Sequence, residues 1–183
     1  MQAVELHGAD SVSWEGVPED GLQVTPGGVR PWRLPVDDLD LFLPTKGLAH
    51  HEASSNGILT QAANASGVRI VLSSDTVSLR LVVRPRFVYS GTDFDLVADG
   101  KLIGNRRFAP EVVPALPEGV EAGTPAAMMA MMAQMAEAAD EVAEPVVVEF
   151  SDISAAGGGS RTLELWLPHR STITVLSLEV AAG

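Results

Sequence analysis

The chain has 183 residues and no cysteine, and its 24 acidic against 12 basic side chains leave a formal net charge of −12. That length fits one large domain with a sizeable core rather than two catalytic domains. The charge repels a polyanion, which sets nucleic acid aside as a partner, and the absent thiols exclude disulfides, thiolate zinc sites and a cysteine nucleophile.

The N-terminus, MQAVELHGADSVSW, carries no basic segment ahead of a long apolar one. No run anywhere approaches the roughly 18 apolar residues of a membrane span, so the chain as it stands reads as cytoplasmic. From Met1 to Pro35 short extended pieces are broken by turn residues. Val12 and Trp14 share one side of a strand, and Glu19-Asp20-Gly21 and Pro26-Gly27-Gly28 supply turns. Residues 36 to 65 sustain no period and read as a long connection, with one helical turn near Asp37 to Leu43. In SGVRIVLSSDTVSLRLVVR, Val68, Ile70 and Leu72 alternate, and Val77, Leu79, Leu81 and Val83 alternate after a Ser-Ser-Asp turn. That spacing predicts a hairpin with one apolar face. A second hairpin is predicted around Asp99-Gly100, with Phe94, Leu96 and Ala98 leading into the turn.

Residues 109 to 144 differ in kind: they hold seven acids and no base, so they read as an acidic, Pro-rich segment inserted between strands. Within them Thr124 is placed to cap a helix and Pro125 to occupy its first position, which predicts one helix over 125 to 143. The strand pattern resumes at Val146, Val148 and Phe150. In LELWLPHRSTITVLSLEV, Leu163, Leu165 and Leu167 share a face, and the chain hinges at Pro168-His169-Arg170-Ser171. Ile173 and Val175 then share a phase that Leu178 and Val180 do not, which predicts a bulge or bend near Leu176. Eight to ten short strands with one helix predict an all-β fold over 1 to 183, a single antiparallel jelly-roll-like β-sandwich with one inserted Met-rich helix.

A nucleophilic hydrolase needs a serine, a histidine to take its proton and an acid to hold that histidine. The histidines are His7, His50, His51 and His169, and no Gly-x-Ser-x-Gly elbow, Gly-Asp-Ser block or Asp-x-x-His pair accompanies them. No catalytic residue is therefore assigned. His50-His51-Glu52 is the densest ligand group, but adjacent residues of an extended chain point to opposite sides and seldom bind one ion. Met128, Met129, Met131, Met132 and Met135 offer thioethers to a soft ion, yet at helical spacing they are better read as an adaptable apolar face. The carboxylates of Asp37, Asp38 and Asp40, and of Asp93, Asp95 and Asp99, suit Ca²⁺ but are explained by turn chemistry. No metal site or cofactor is expected. Trp166 lies out of phase with its leucine neighbours and must face solvent, a ligand or a partner domain. Trp14 reads as core. Trp32 and Arg33, in the rigid stretch GVRPWRLP, are candidates for partner contact or sugar stacking.

Four segments, GVRPWRLP at 28 to 35, SGVRIVLSSDTVSLRL at 66 to 81, FDLVADGKLIG at 94 to 104 and LELWLPHRSTITVLSLEV at 163 to 180, resemble in the same order one family. It is the N-terminal β-sandwich domain of bacterial SGNH (GDSL-type) esterases and acyltransferases. The resemblance implies a sandwich similar to carbohydrate-binding modules, followed by a catalytic domain that holds the Ser, Asp and His. It matches His169 to a sandwich residue rather than to the triad, and it leaves the Met-rich helix without a counterpart. The implied function is a noncatalytic accessory domain that helps substrate binding or assembly, with an SGNH catalytic domain as partner in cis or in trans. A freestanding glycan-binding module and an oligomerisation domain using the Met stripe are the alternatives. The binding candidates are Trp166, His169, Arg170, Trp32 and Arg33.

Overall fold

The computed structural model describes residues 1–7, 12–37, 62–88, 93–108, 121, 124, 127, 144–153, 159–169 and 171–182. Their strands, in chain order, are β1 (Gln2–Val4), β2 (Val12–Glu15), β3 (Leu22–Thr25), β4 (Gly28–Pro31), β5 (Arg69–Ser74), β6 (Thr76–Val88), β7 (Asp93–Ala98), β8 (Lys101–Arg107), β9 (Val146–Phe150), β10 (Arg161–Trp166) and β11 (Ser171–Ala182). A six-stranded sheet runs β3-β4-β11-β6-β9 with β1 also paired to β11, and a five-stranded sheet runs β2-β5-β10-β7-β8. All pairings are antiparallel among the described strands, which makes the fold an all-β, jelly-roll-like sandwich.

Alternation explains the layers. The five-stranded sheet turns Ile70, Leu72, Phe94, Leu96, Leu163 and Leu165 inward, and the other sheet answers with Leu79, Leu81, Val83, Val148, Phe150, Ile173, Val175 and Leu178. These side chains form one apolar cluster between the sheets. Each fully buried Leu, Ile or Phe contributes roughly 1.5–3 kcal/mol, so the cluster dominates the stability.

One expectation fails. β5 and β6 do not pair as a hairpin; they lie in different sheets, and only Asp75 separates them. Alternation reports which face of a strand is buried, and it is satisfied equally by a neighbour beside the strand or by a sheet across the core. Polar groups stitch the corner. Ser74 Oγ accepts from the Thr76 N–H at 3.1 Å, while buried Thr76 Oγ1 accepts from the Ala181 N–H at 3.0 Å and lies 2.6 Å from the carbonyls of Ser78 and Ala181.

Other expectations hold. Asp99 and Gly100 take φ of 48° and 77° between β7 and β8, the left-handed pair that a two-residue hairpin turn needs. The slip near Leu176 is a bulge, since Val175 faces Val83 while Ser177 faces Val82. Gly28 fits against that bulge with φ of 120°. Within residues 109 to 144, Thr124 Oγ1 accepts from the Ala127 N–H at 3.2 Å, as an N-cap does, and Ala127 is buried. The rest of the predicted helix, including its methionines, lies outside the described residues, as do His50, His51, Glu52 and the connection from 38 to 61. Among the described residues no helix is long and apolar enough to cross a membrane.

Candidate functional site

Because Leu163 and Leu165 point inward along β10, Glu164 and Trp166 point outward. Register carries the row of Trp166 across the whole five-stranded sheet: Glu15, Arg69, Trp166, Asp95 and Asn105 stand side by side on successive strands. The Arg69 guanidinium lies 4.6 Å from the Trp166 ring centroid, a cation–π contact. It is held there by Glu15, whose Oε2 accepts from Nε at 2.8 Å, and by Glu164, whose Oε2 accepts from Nη1 at 2.8 Å. The hydrogen bond that Arg69 donates to Glu15 raises the Arg69 pKa above its ordinary value, opposed by partial desolvation and aided by the charge of Glu164. Asn105 Nδ2 donates to Asp95 Oδ1 at 2.7 Å, and Arg107 pairs with Asp93 at 3.2 Å. Trp166 is thus the single large ring in a row of mutually paired polar groups.

The β5–β10 ladder continues past the strand ends. The Leu167 N–H donates to the Val68 carbonyl at 2.9 Å, Ser66 Oγ lies 2.5 Å from His169 Nδ1, and the Ala65 N–H donates to the Ser171 carbonyl at 3.0 Å. At the start of the same segment the Arg33 N–H donates to the Ala62 carbonyl at 2.8 Å. Residues 62–68 therefore tie the exit of β4 to the entry of β11. Trp32, Arg33, Ser66, Trp166 and His169 consequently share one end of the sandwich, where β2, β4, β6 and β10 finish and β5, β7 and β11 begin. Arg33 and His169 are exposed. Trp32, half-buried, donates from Nε1 to Gln23 Oε1 at 3.2 Å and carries the Arg30 guanidinium 5.8 Å from its ring centroid. Trp166 belongs to the five-stranded side of this end and Trp32 to the six-stranded side. Arg170 lies outside the described residues.

Ser66 and His169 supply two members of a nucleophilic triad without the third: among the described residues no carboxylate bonds His169. His169 sits in the turn between β10 and β11, the place expected for it. The carboxylates of Asp93, Asp95 and Asp99 are engaged by Arg107, by Asn105 and by the Thr162 N–H at 3.1 Å. No group of three or more metal-ligating side chains occurs among the described residues. Trp14 packs partly buried against the core and donates to the Leu6 carbonyl at 2.8 Å. Sequence reasoning missed Glu15, Ser66, Arg69 and Glu164. The phase of Arg69 and Glu164 already marked them as outward, but which strands stand next to β10 is not written in any one segment.

No protein-family model matches the chain, and no curated protein matches it. Among solved structures it is similar to the salicylyl-acyltransferase SsfX3 from a tetracycline biosynthetic pathway, with a TM-score of 0.66 and 18% identity. The likeness is one of fold. It covers 100% of this chain and 40% of that one, so the chain spans well under half the length of the acyltransferase it matches.

Proposed function

We propose that the chain is the noncatalytic β-sandwich of an SGNH-type esterase or acyltransferase and that the end bearing Trp32, Arg33, Ser66, Trp166 and His169 meets the catalytic domain or its substrate. One observation carries the reading: the whole sandwich superposes on part of an acyltransferase. The ordered sequence segments that resemble SGNH N-terminal domains agree with it, and three of them contribute residues to the same end of the fold. In this reading 1 to 183 form one domain, interrupted by the segment 109 to 144, and the triad belongs to the partner.

Hydrolysis of p-nitrophenyl acetate tests it, with the chain alone and with an SGNH domain from the same locus joined or added. Silence alone, and a catalytic domain whose kcat/KM changes on addition of the chain but not of its Trp166→Ala/His169→Ala variant, is the expected outcome. Turnover by the chain alone, or a partner indifferent to it, overturns the proposal.

A second reading, a glycan-binding face, draws on the row that flanks Trp166 with Asp95, Asn105, Arg69 and Glu15. Glycan-array binding lost in a Trp166→Ala/Trp32→Ala double variant supports it; binding that survives both substitutions removes its basis.

A further inference from the structure

We propose that Trp166 and Asp95, on the outer face of the five-stranded sheet, bind an organic cation, a guanidinium or alkylammonium group, on the β7 side of the indole ring. The inference uses the row described for the glycan-binding reading but names a different occupant, and it depends on neither a sugar nor a catalytic domain.

Trp166 stands on β10 between two neighbours in register, Arg69 on β5 and Asp95 on β7. All three alternate with buried residues, so their side chains share the outer face. On the β5 side the ring and two carboxylates already hold a cation: the Arg69 guanidinium lies 4.6 Å from the ring centroid, and its nitrogens donate to Glu15 and Glu164. The β7 side repeats the ring and a carboxylate without the cation. Asp95 accepts there from the neutral side chain of Asn105, and no guanidinium or ammonium group pairs with it among the described residues. Lack of a cation does not by itself distinguish Asp95 in a chain of net charge −12. Its place in register beside a half-buried indole ring does.

The surroundings suit a second cation. Glu15, Glu164 and Asp95 place three carboxylates around the ring against the one guanidinium of Arg69, and the negative face of the indole adds to their field. The hydrogen bond from Asn105 to Asp95 Oδ1 orients the carboxylate and leaves Oδ2 to accept from an incoming N–H. Val97, two residues further along β7 on the same outer face, offers apolar contact to the alkyl part of the ligand. In the following row Arg107 is held by Asp93 at 3.2 Å. An oxyanion is repelled by the three carboxylates. A divalent metal needs about six oxygen ligands, and no group of three or more metal-ligating side chains occurs among the described residues.

The test follows the indole N–H resonances of the ¹⁵N-labelled full chain by NMR. Methylguanidinium chloride or methylammonium chloride is titrated at constant ionic strength against sodium chloride. Trp14 and Trp32, whose indole N–H groups donate to Leu6 and Gln23, serve as internal references. The expected result is a saturable shift of the Trp166 signal alone, absent with sodium and with urea, a neutral analogue of guanidinium. Asp95→Asn should weaken the response several-fold with the Trp14 and Trp32 signals in place, which shows that the fold is kept. Asp75→Asn, which removes the same charge at an exposed position beyond the far end of β5, should leave the response unchanged. Response to one cation assigns the site to that class, and response to both assigns it to organic cations at large. A Gly-Arg-Gly or Gly-Lys-Gly peptide that binds more tightly than the matching small cation identifies the ligand as a side chain of a partner chain; equal or weaker binding identifies it as a free small cation. No saturable Trp166 shift with either cation, the same shift with sodium or urea, or a response untouched by Asp95→Asn overturns the proposal. Because no probe carries a sugar, that failure leaves the glycan-binding reading to its own test.

Discussion

Gly27 and Gly28 are adjacent in the β3–β4 turn, and alanine at the two positions should have opposite consequences. A Cβ on Gly28 would lie 2.4 Å from the Val175 carbonyl oxygen and 3.1 Å from the Leu176 Cα, at a backbone φ of 120° that L-residues avoid. The backbone strain costs about 1–3 kcal/mol, and displacing β4 from the β11 bulge costs about as much again through overpacking. Gly28→Ala should therefore lose about 3–5 kcal/mol, which for a chain of this length lowers Tm by roughly 10 °C. Gly27 has no positive φ, and its nearest neighbour, Thr25 Oγ1, would be 3.7 Å from the new methyl group. Gly27→Ala should be neutral or gain up to about 1 kcal/mol by restricting the unfolded chain. Equilibrium urea unfolding of the two variants against the parent measures both effects. Equal losses at the two positions, or a Gly28→Ala variant as stable as the parent, would refute the close approach of the turn to β11.

Thr76→Val removes the buried hydroxyl at the β5–β6 corner and strands the Ala181 N–H; a loss of about 2–3 kcal/mol is expected in the same unfolding assay. Thr76→Ser, which keeps the hydroxyl, should lose clearly less, and an equal loss would assign the effect to the methyl group instead. At Gly100, where φ is 77° and a Cβ would meet no atom within 4 Å, alanine should cost about 1 kcal/mol and asparagine less. A cost for alanine below that for asparagine contradicts the assigned turn. Ser66→Ala and His169→Ala remove an exposed pair, so each should change stability by less than about 0.5 kcal/mol and leave any background ester hydrolysis by the chain untouched. A several-fold fall in hydrolysis with either variant would give the pair a chemical role in this chain.

Much of the architecture is written locally. The alternating leucines of β10, the Asp99-Gly100 turn and the phase slip at Leu176 each depend on a few neighbouring residues, because side-chain alternation and left-handed turns are short-range properties of the backbone. The outward direction of Trp166 followed from the same alternation. What stands beside it did not: Arg69 and Glu15 come from distant strands, and the same alternation also fits β5 paired with β6, the hairpin that the structure rejects. Only the packing of two sheets over one core decides between those arrangements. It likewise decides that Trp32 and His169, far apart in the chain, share an end of the sandwich. Sequence thus determined which face each strand buries, a consequence of local geometry, whereas the tertiary structure determined each strand's neighbours, because that choice belongs to the whole core at once.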